Sequence, residues 1–192
     1  VSDHPDKLLE AYVTGITSYI LPEFDKMMEQ PQNNPYHRYN VGVHSIEAVK
    51  NIRPDVTMRW AALLHDVGKP ATHTVDENGI DHFFGHPEKG VPIAESILRR
   101  LKFDNNTIKD VCALVRWHDY GMGCVPKKGS IRKLLGEVGK DFFPYIIEIK
   151  KADMAAQSDY NLEERQIQLA ALEEKYEEIM ASDDCVRIKD LK

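Results

Sequence analysis

Ten side chains in this sequence can do metal chemistry or touch its products, and their order matters. His65 and Asp66 are adjacent, at the end of the most apolar stretch of the chain (Trp60, Ala61, Leu63, Leu64). An imidazole and a carboxylate in an apolar setting are costly unless something pairs with both. A divalent cation does so, taking a neutral nitrogen from one and charge from the other. Further ligand types recur on other segments: His44 in Val41-Gly42-Val43-His44, His86 in Phe84-Gly85-His86-Pro87, the second doublet His118-Asp119, and Asp153 in Lys151-Ala152-Asp153. Each falls on a different predicted helix. A bundle can turn them inward around one or two cations, as helical bundles build metal sites from facing helices.

Plainer roles stand beside these. His86 can cap the helix that Pro87 begins, and His118 can be a cation favoured by a helix C-terminus. Lys69, one turn beyond the doublet, is either a phosphate-neutralising cation or an ordinary terminal lysine. Asp119 is the weaker alternative to His118. His4, His73 and His82 read as solvated.

The elements that must position these groups are helices. Leu8, Leu9, Tyr12 and Ile16 predict an amphipathic helix from about Pro5 to Ser18, and Pro22 starts a short second one. Residues 30–36 are a loop by composition. Helices follow over Val41–Asn51 and Thr57–Val67, with Gly68 as C-cap and Pro70 as stop. Asn78-Gly79 between Thr72–Val75 and Ile80–Phe83 predicts a small two-stranded excursion near residues 72–84. Helices resume at Pro87–Leu101, Asn105–His118, Ile131–Gly136 and Phe142–Ala156. A last helix begins near Asn161, where Asn-x-x-Glu suggests an N-terminal cap, and carries the stripe Leu162, Leu169, Leu172, Tyr176, Ile179. That stripe suits core packing or a homodimer contact. The expected fold is all-α, with one small β-hairpin excursion.

Composition narrows the class. The 192 residues suit one domain spanning 1–192, 42% are hydrophobic, and the net charge is −6. That acidity disfavours non-specific nucleic-acid binding, which needs excess Lys and Arg. Cys112, Cys124 and Cys185 are odd in number and unpatterned, so they read as reduced thiols rather than a disulfide or zinc framework. With no signal peptide and no apolar run near the roughly 20 residues of a membrane span, a cytoplasmic protein is expected. The chain starts at Val1 and reads as a fragment of a longer protein.

The order His44, His65-Asp66, Asp153 resembles the HD superfamily of metal-dependent phosphohydrolases, whose bundle fold the helices suit. The resemblance implies that these four residues hold a metal. In two-metal members two further histidines lie between the doublet and the last Asp, as His86 and His118 do here. Longer strings resemble bacterial CCA-adding enzymes (tRNA nucleotidyltransferases): Pro31-Gln32-Asn33-Asn34-Pro35-Tyr36-His37-Arg38-Tyr39, Arg59 to Pro70 with its His65-Asp66-Val67-Gly68-Lys69, Phe84-Gly85-His86, and Leu98 to Phe103. The polymerase-type head of those enzymes has no counterpart here, since no Gly-Ser is followed by Asp-x-Asp, so nucleotide addition is not expected. The resemblance implies hydrolysis of phosphate esters, such as 2′,3′-cyclic nucleotides or RNA ends. Asp66 is the candidate to bridge two metals, Lys69 to neutralise phosphate, and His37 and Arg38 to touch substrate. Imidazole-rich ligands favour Mn, Ni, Co, Fe or Zn over Mg. Two other readings remain: a stand-alone nucleotidase, and a non-catalytic module that positions tRNA or mediates dimerisation.

Overall fold

The computed structural model describes residues 4–182; Cys185 lies outside them. The described elements are α1 (Lys7–Val13), α2 (Thr17–Ile20), α3 (Pro22–Met28), α4 (Val41–Lys50), α5 (Val56–Leu64), β1 (Thr74–Val75), β2 (Asp81–His82), α6 (His86–Arg100), α7 (Asn105–Trp117), α8 (Lys128–Val138), α9 (Phe143–Ala156) and α10 (Leu162–Ala181). The fold is all-α apart from the antiparallel pair β1–β2, in which Thr74 faces His82 and Val75 faces Asp81. The turn between them is Asp76–Gly79, with Gly79 at φ 76°.

Three helices that carry site residues start at side-chain caps, which satisfy otherwise orphaned backbone N–H groups. The Asn40 oxygen accepts from Val43 N at 2.8 Å while its amide donates to Met28 O at 2.9 Å, tying α4 to α3. Asp55 accepts from Met58 N at 3.0 Å, and Asp104 accepts from Asn106 N and Thr107 N at 2.9 and 3.0 Å. The helices then bury apolar faces in one core among the described residues, built on Phe24, Met27, Ile46, Met58, Leu64, Ile97, Leu114 and Phe143. In it α4 packs on α5 and α9, and α7 packs on α5, α6 and α9. The four elements α4, α5, α7 and α9 therefore surround a common interior.

Several expectations are corrected. The predicted helix over 5–18 breaks: Gly15 takes φ 75° and the Thr14 hydroxyl bonds back to Glu10 O at 2.8 Å, so α1 stops at Val13. The helix predicted over 131–136 runs longer, from Lys128 to Val138. Asn161 does not cap α10 with its side chain; its backbone is left-handed, at φ 49°, and the turn before α10 is tied to it by Arg165, which donates to Ser158 O at 2.5 Å and Tyr160 O at 2.8 Å. His73 and His82 are not solvated singletons. They are half-buried and bond Asp81 at 2.7 Å and Asp76 at 2.9 Å within the hairpin. His4 is exposed.

Gly68 is needed for a different reason than capping. Its φ of −79° is open to any residue. A Cβ there, however, would lie 2.1 Å from His86 O and 2.7 Å from Gly90 N, so only hydrogen lets the chain after α5 touch the first turn of α6. These are backbone atoms, which cannot swing aside. Gly68→Ala should therefore destabilise the protein by about 3 kcal/mol or more, read as a lowered denaturant midpoint; an unchanged midpoint would show that the two segments separate freely.

Candidate metal centre

His44 projects from the middle of α4, His65 and Asp66 follow the last residue of α5, His86 opens α6, His118 follows α7 and Asp153 lies in α9. All six are buried. They meet in two groups that share Asp66. One donor atom each from His44, His65 and Asp66 falls within 4.8 Å of the others, and the same holds for Asp66, His86 and His118. His44 Nε2 and His65 Nε2 are 3.3 Å apart, and His86 Nε2 and His118 Nε2 are 3.1 Å apart. Asp66 faces both pairs: Oδ2 is 3.2 Å from His65 Nε2, and Oδ1 is 3.2 Å from His86 Nε2. Asp153 Oδ1 joins the first group, 2.9 Å from His44 Nε2 and 3.7 Å from His65 Nε2.

The other ring nitrogen of each histidine fixes its tautomer. The Nδ1 atoms of His65, His86 and His118 lie 2.7, 2.9 and 2.8 Å from the carbonyls of Ala62, Phe83 and Val115, each three residues back. His44 Nδ1 is 3.4 Å from Ala156 O. A carbonyl only accepts, so Nδ1 must carry the proton and donate it. In a neutral ring Nε2 is then a bare lone pair, and two such lone pairs face each other in each group. Facing lone pairs repel unless a cation or a proton stands between them. This is the outer-sphere arrangement that orients metal-binding histidines, and the nitrogen-rich donor set fits a divalent transition metal.

Without a cation the carboxylates recruit a proton. Burial works against a charge on His65, but Asp66 and then Asp153 outweigh it and push its pKa up to about 10. His86 is also raised against burial, by its bond to Asp66. Burial drives His118 down to about 4, against the pull of Asp119. Burial, with the charge of Lys69, takes His37 down to about 3. Burial opposes the charges of Asp66 and Asp153, yet both are held well below the usual carboxylate range, Asp66 by His65 and Lys69, Asp153 by His44 and His65.

The remaining candidates separate. The His37 ring meets the His44 ring edge-on, with centroids 4.9 Å apart. Arg38 turns outward to Asp159 at 3.3 Å, and among the described residues no ion pair or hydrogen bond ties it to the cluster. Lys69 is buried, not a solvated terminal lysine: Nζ lies 2.7 Å from Asp66 Oδ2 and donates to Gln32 Oε1 at 2.7 Å. Asp119, ranked below His118 in the sequence, places its carboxylate 3.3 Å from both His86 Nε2 and His118 Nε2. The repeated His-Asp doublet was the signal for it. Two glutamines went unnoticed. Gln157 donates to both oxygens of Asp153, at 3.1 and 3.2 Å, and itself accepts from Arg165; its i+4 spacing from Asp153 was legible. Gln32 sits 37 residues from Lys69, and no local pattern announces that contact.

Comparison with known proteins places the chain. It belongs to the HD domain family, whose model matches residues 36–180. Among its relatives, the A-adding tRNA nucleotidyltransferase of Deinococcus radiodurans is 31% identical over 155 residues, covering 78% of this chain and 35% of that protein. The CC-adding tRNA nucleotidyltransferase of Thermus thermophilus is 31% identical over 156 residues, with the same coverage. The multifunctional CCA protein of Actinobacillus pleuropneumoniae is 33% identical over 109 residues, covering 53% of this chain and 26% of that protein. The matched region is thus about a third or less of each relative's length. No helix among the described residues is long and apolar enough to cross a membrane.

The shifts fix a pH profile for the apo protein. His37 and His118 refuse protons that their unfolded forms accept below about 6.5, so stability present above that pH is lost as pH falls toward 4 and then 3. His65 does the opposite: its contribution is full below about 6.5 and is lost as pH rises toward 10. Thermal midpoints of chelator-treated protein should therefore peak near neutrality and fall on both sides. A midpoint still climbing at pH 9 would contradict the His65 assignment.

Proposed function

We propose that this chain is a metal-dependent phosphohydrolase, the HD portion of a tRNA nucleotidyltransferase-like protein, acting on phosphate esters of nucleotides or RNA ends such as 2′,3′-cyclic phosphates. The observation that carries this reading is the pair of facing Nε2 couples bridged by one carboxylate. His44, His65, Asp66 and Asp153 would hold one divalent ion. Asp66, His86 and His118, with Asp119 in reach, would hold a second. Mn, Ni, Co, Fe or Zn suit these donors better than Mg. Such ions supply Lewis acidity toward water and toward a phosphoryl oxygen.

The chain's own groups do the rest. Water adds its oxygen to phosphorus as the P–O bond to the leaving group breaks, and the proton released by water balances the one the leaving oxygen takes up. Asp66 presents one oxygen to each histidine pair and so keeps both halves of the site in a fixed relation. Lys69 steadies Asp66 through its 2.7 Å contact and leaves a positive charge beside the reacting phosphate. Backbone carbonyls hold the imidazoles, so no ring must turn during reaction. His37, half-buried with its ring edge-on to His44, is placed to meet the substrate's phosphate or leaving group. The names of the relatives attach those proteins to tRNA, which supports RNA ends as the substrate class here.

The test is metal content by elemental analysis, with hydrolysis of 2′,3′-cyclic and 5′-monophosphate nucleotides in Mn or Ni. Wild-type protein should hold about two ions. His86→Ala should hold about one, and Asp66→Ala should bind neither tightly and lose about a hundredfold or more in rate. Metal-free, inert wild-type protein would leave a non-catalytic module.

A further inference from the structure

Lys150 is a cation that the site described so far does not use. It lies one turn before Asp153 on α9, and residues three apart share a helix face. Its side chain therefore runs toward the centre. Burial lowers its pKa, while Asp119 and Asp153 favour its charge. Among the described residues its hydrogen bond goes to His118 O, at 3.3 Å. An ammonium has three N–H donors, so one carbonyl leaves two for another acceptor. The group borders a cavity of about 50 Å³ whose wall includes Gly121, Met122, Asp153, Gln157 and Arg165. Arg165 is committed to Gln157, Ser158 and Tyr160, and Lys69 to Asp66 and Gln32. With two partners Lys69 keeps one N–H donor, whereas Lys150 keeps two.

We propose that Lys150 anchors the substrate, donating to a non-bridging phosphate oxygen. The proposal rests on the hydrolase reading above and refines it by naming where the phosphate's charge is met. The carboxylates that would compete for this ammonium, Asp119 and Asp153, are the ones a cation would engage. Metal loading thus frees Lys150 for the substrate, which makes phosphate affinity depend on metal. Charge-assisted hydrogen bonds of this kind are among the stronger ones a protein makes to phosphate.

The test is calorimetric titration of inorganic phosphate into Mn-loaded wild-type, Lys150→Met and Lys150→Gln protein, each checked for folding and metal content. The wild type should bind phosphate. Both variants should keep their metal and bind phosphate about tenfold or more weakly, the size of one lost charge-assisted hydrogen bond. Their KM for a phosphodiester should rise, and Lys150→Arg should recover most of the affinity. Unchanged phosphate affinity in a metal-loaded variant would overturn the proposal. So would loss of metal from both variants, which would reduce Lys150 to a prop for the His118 carbonyl. A wild-type protein that takes up no metal would overturn the hydrolase reading, and this proposal with it.

Discussion

Two pairs of imidazole nitrogens face each other across one shared carboxylate in the interior of this bundle, with Nε2 separations of 3.3 and 3.1 Å. Lone pairs cannot be left facing each other in a dry core, because nothing there screens their repulsion. A positive charge between them removes the conflict. The neighbouring groups hold this arrangement in place. The ring orientations are fixed from behind by backbone carbonyls, and the bridging Asp66 is fixed by Lys69, which Gln32 holds in turn.

That constraint explains features that look unrelated along the chain. Gly68 lacks a side chain because the segment after the doublet must lie against the backbone of His86 and Gly90, which brings the second histidine pair to the first. The β-hairpin and its left-handed exit at Gly85 deliver His86 to the start of α6. Gln157 and Arg165 extend support from Asp153 out to α10. Beside the core packing of Leu169, Leu172 and Ile179, α10 is thus tied to Asp153 itself.

The centre was more legible in the sequence than the chain that carries it. The His65-Asp66 doublet on an apolar helix, and His44, His86 and His118 on separate helices, follow from residue type and spacing, and the structure brings those five together. The hairpin was legible because Asn78-Gly79 between strand-like runs signals a turn, although only Gly79 takes the left-handed backbone. The break at Gly15 was not, since the apolar spacing of Leu8, Tyr12 and Ile16 continues across it and only the left-handed backbone interrupts the helix. Asn161 carried a capping pattern but took a left-handed backbone and makes no side-chain cap. Gly68 was read as a helix terminator, and its real reason, a neighbour in space, has no local signature. The same holds for Gln32, and for Lys150, whose sequence context is that of any lysine on an amphipathic helix.

The most direct test of the central claim is anomalous diffraction from crystals of this chain grown with Mn. The account predicts two anomalous peaks, one on each side of Asp66, each within about 2.0–2.2 Å of histidine Nε2 atoms, the span of metal–nitrogen and metal–carboxylate bonds. One peak beside His44, His65 and Asp153 would remove the second site and leave Asp66 without a bridging role. No peak in the interior, with the Nε2 pairs still facing each other, would contradict the account as a whole.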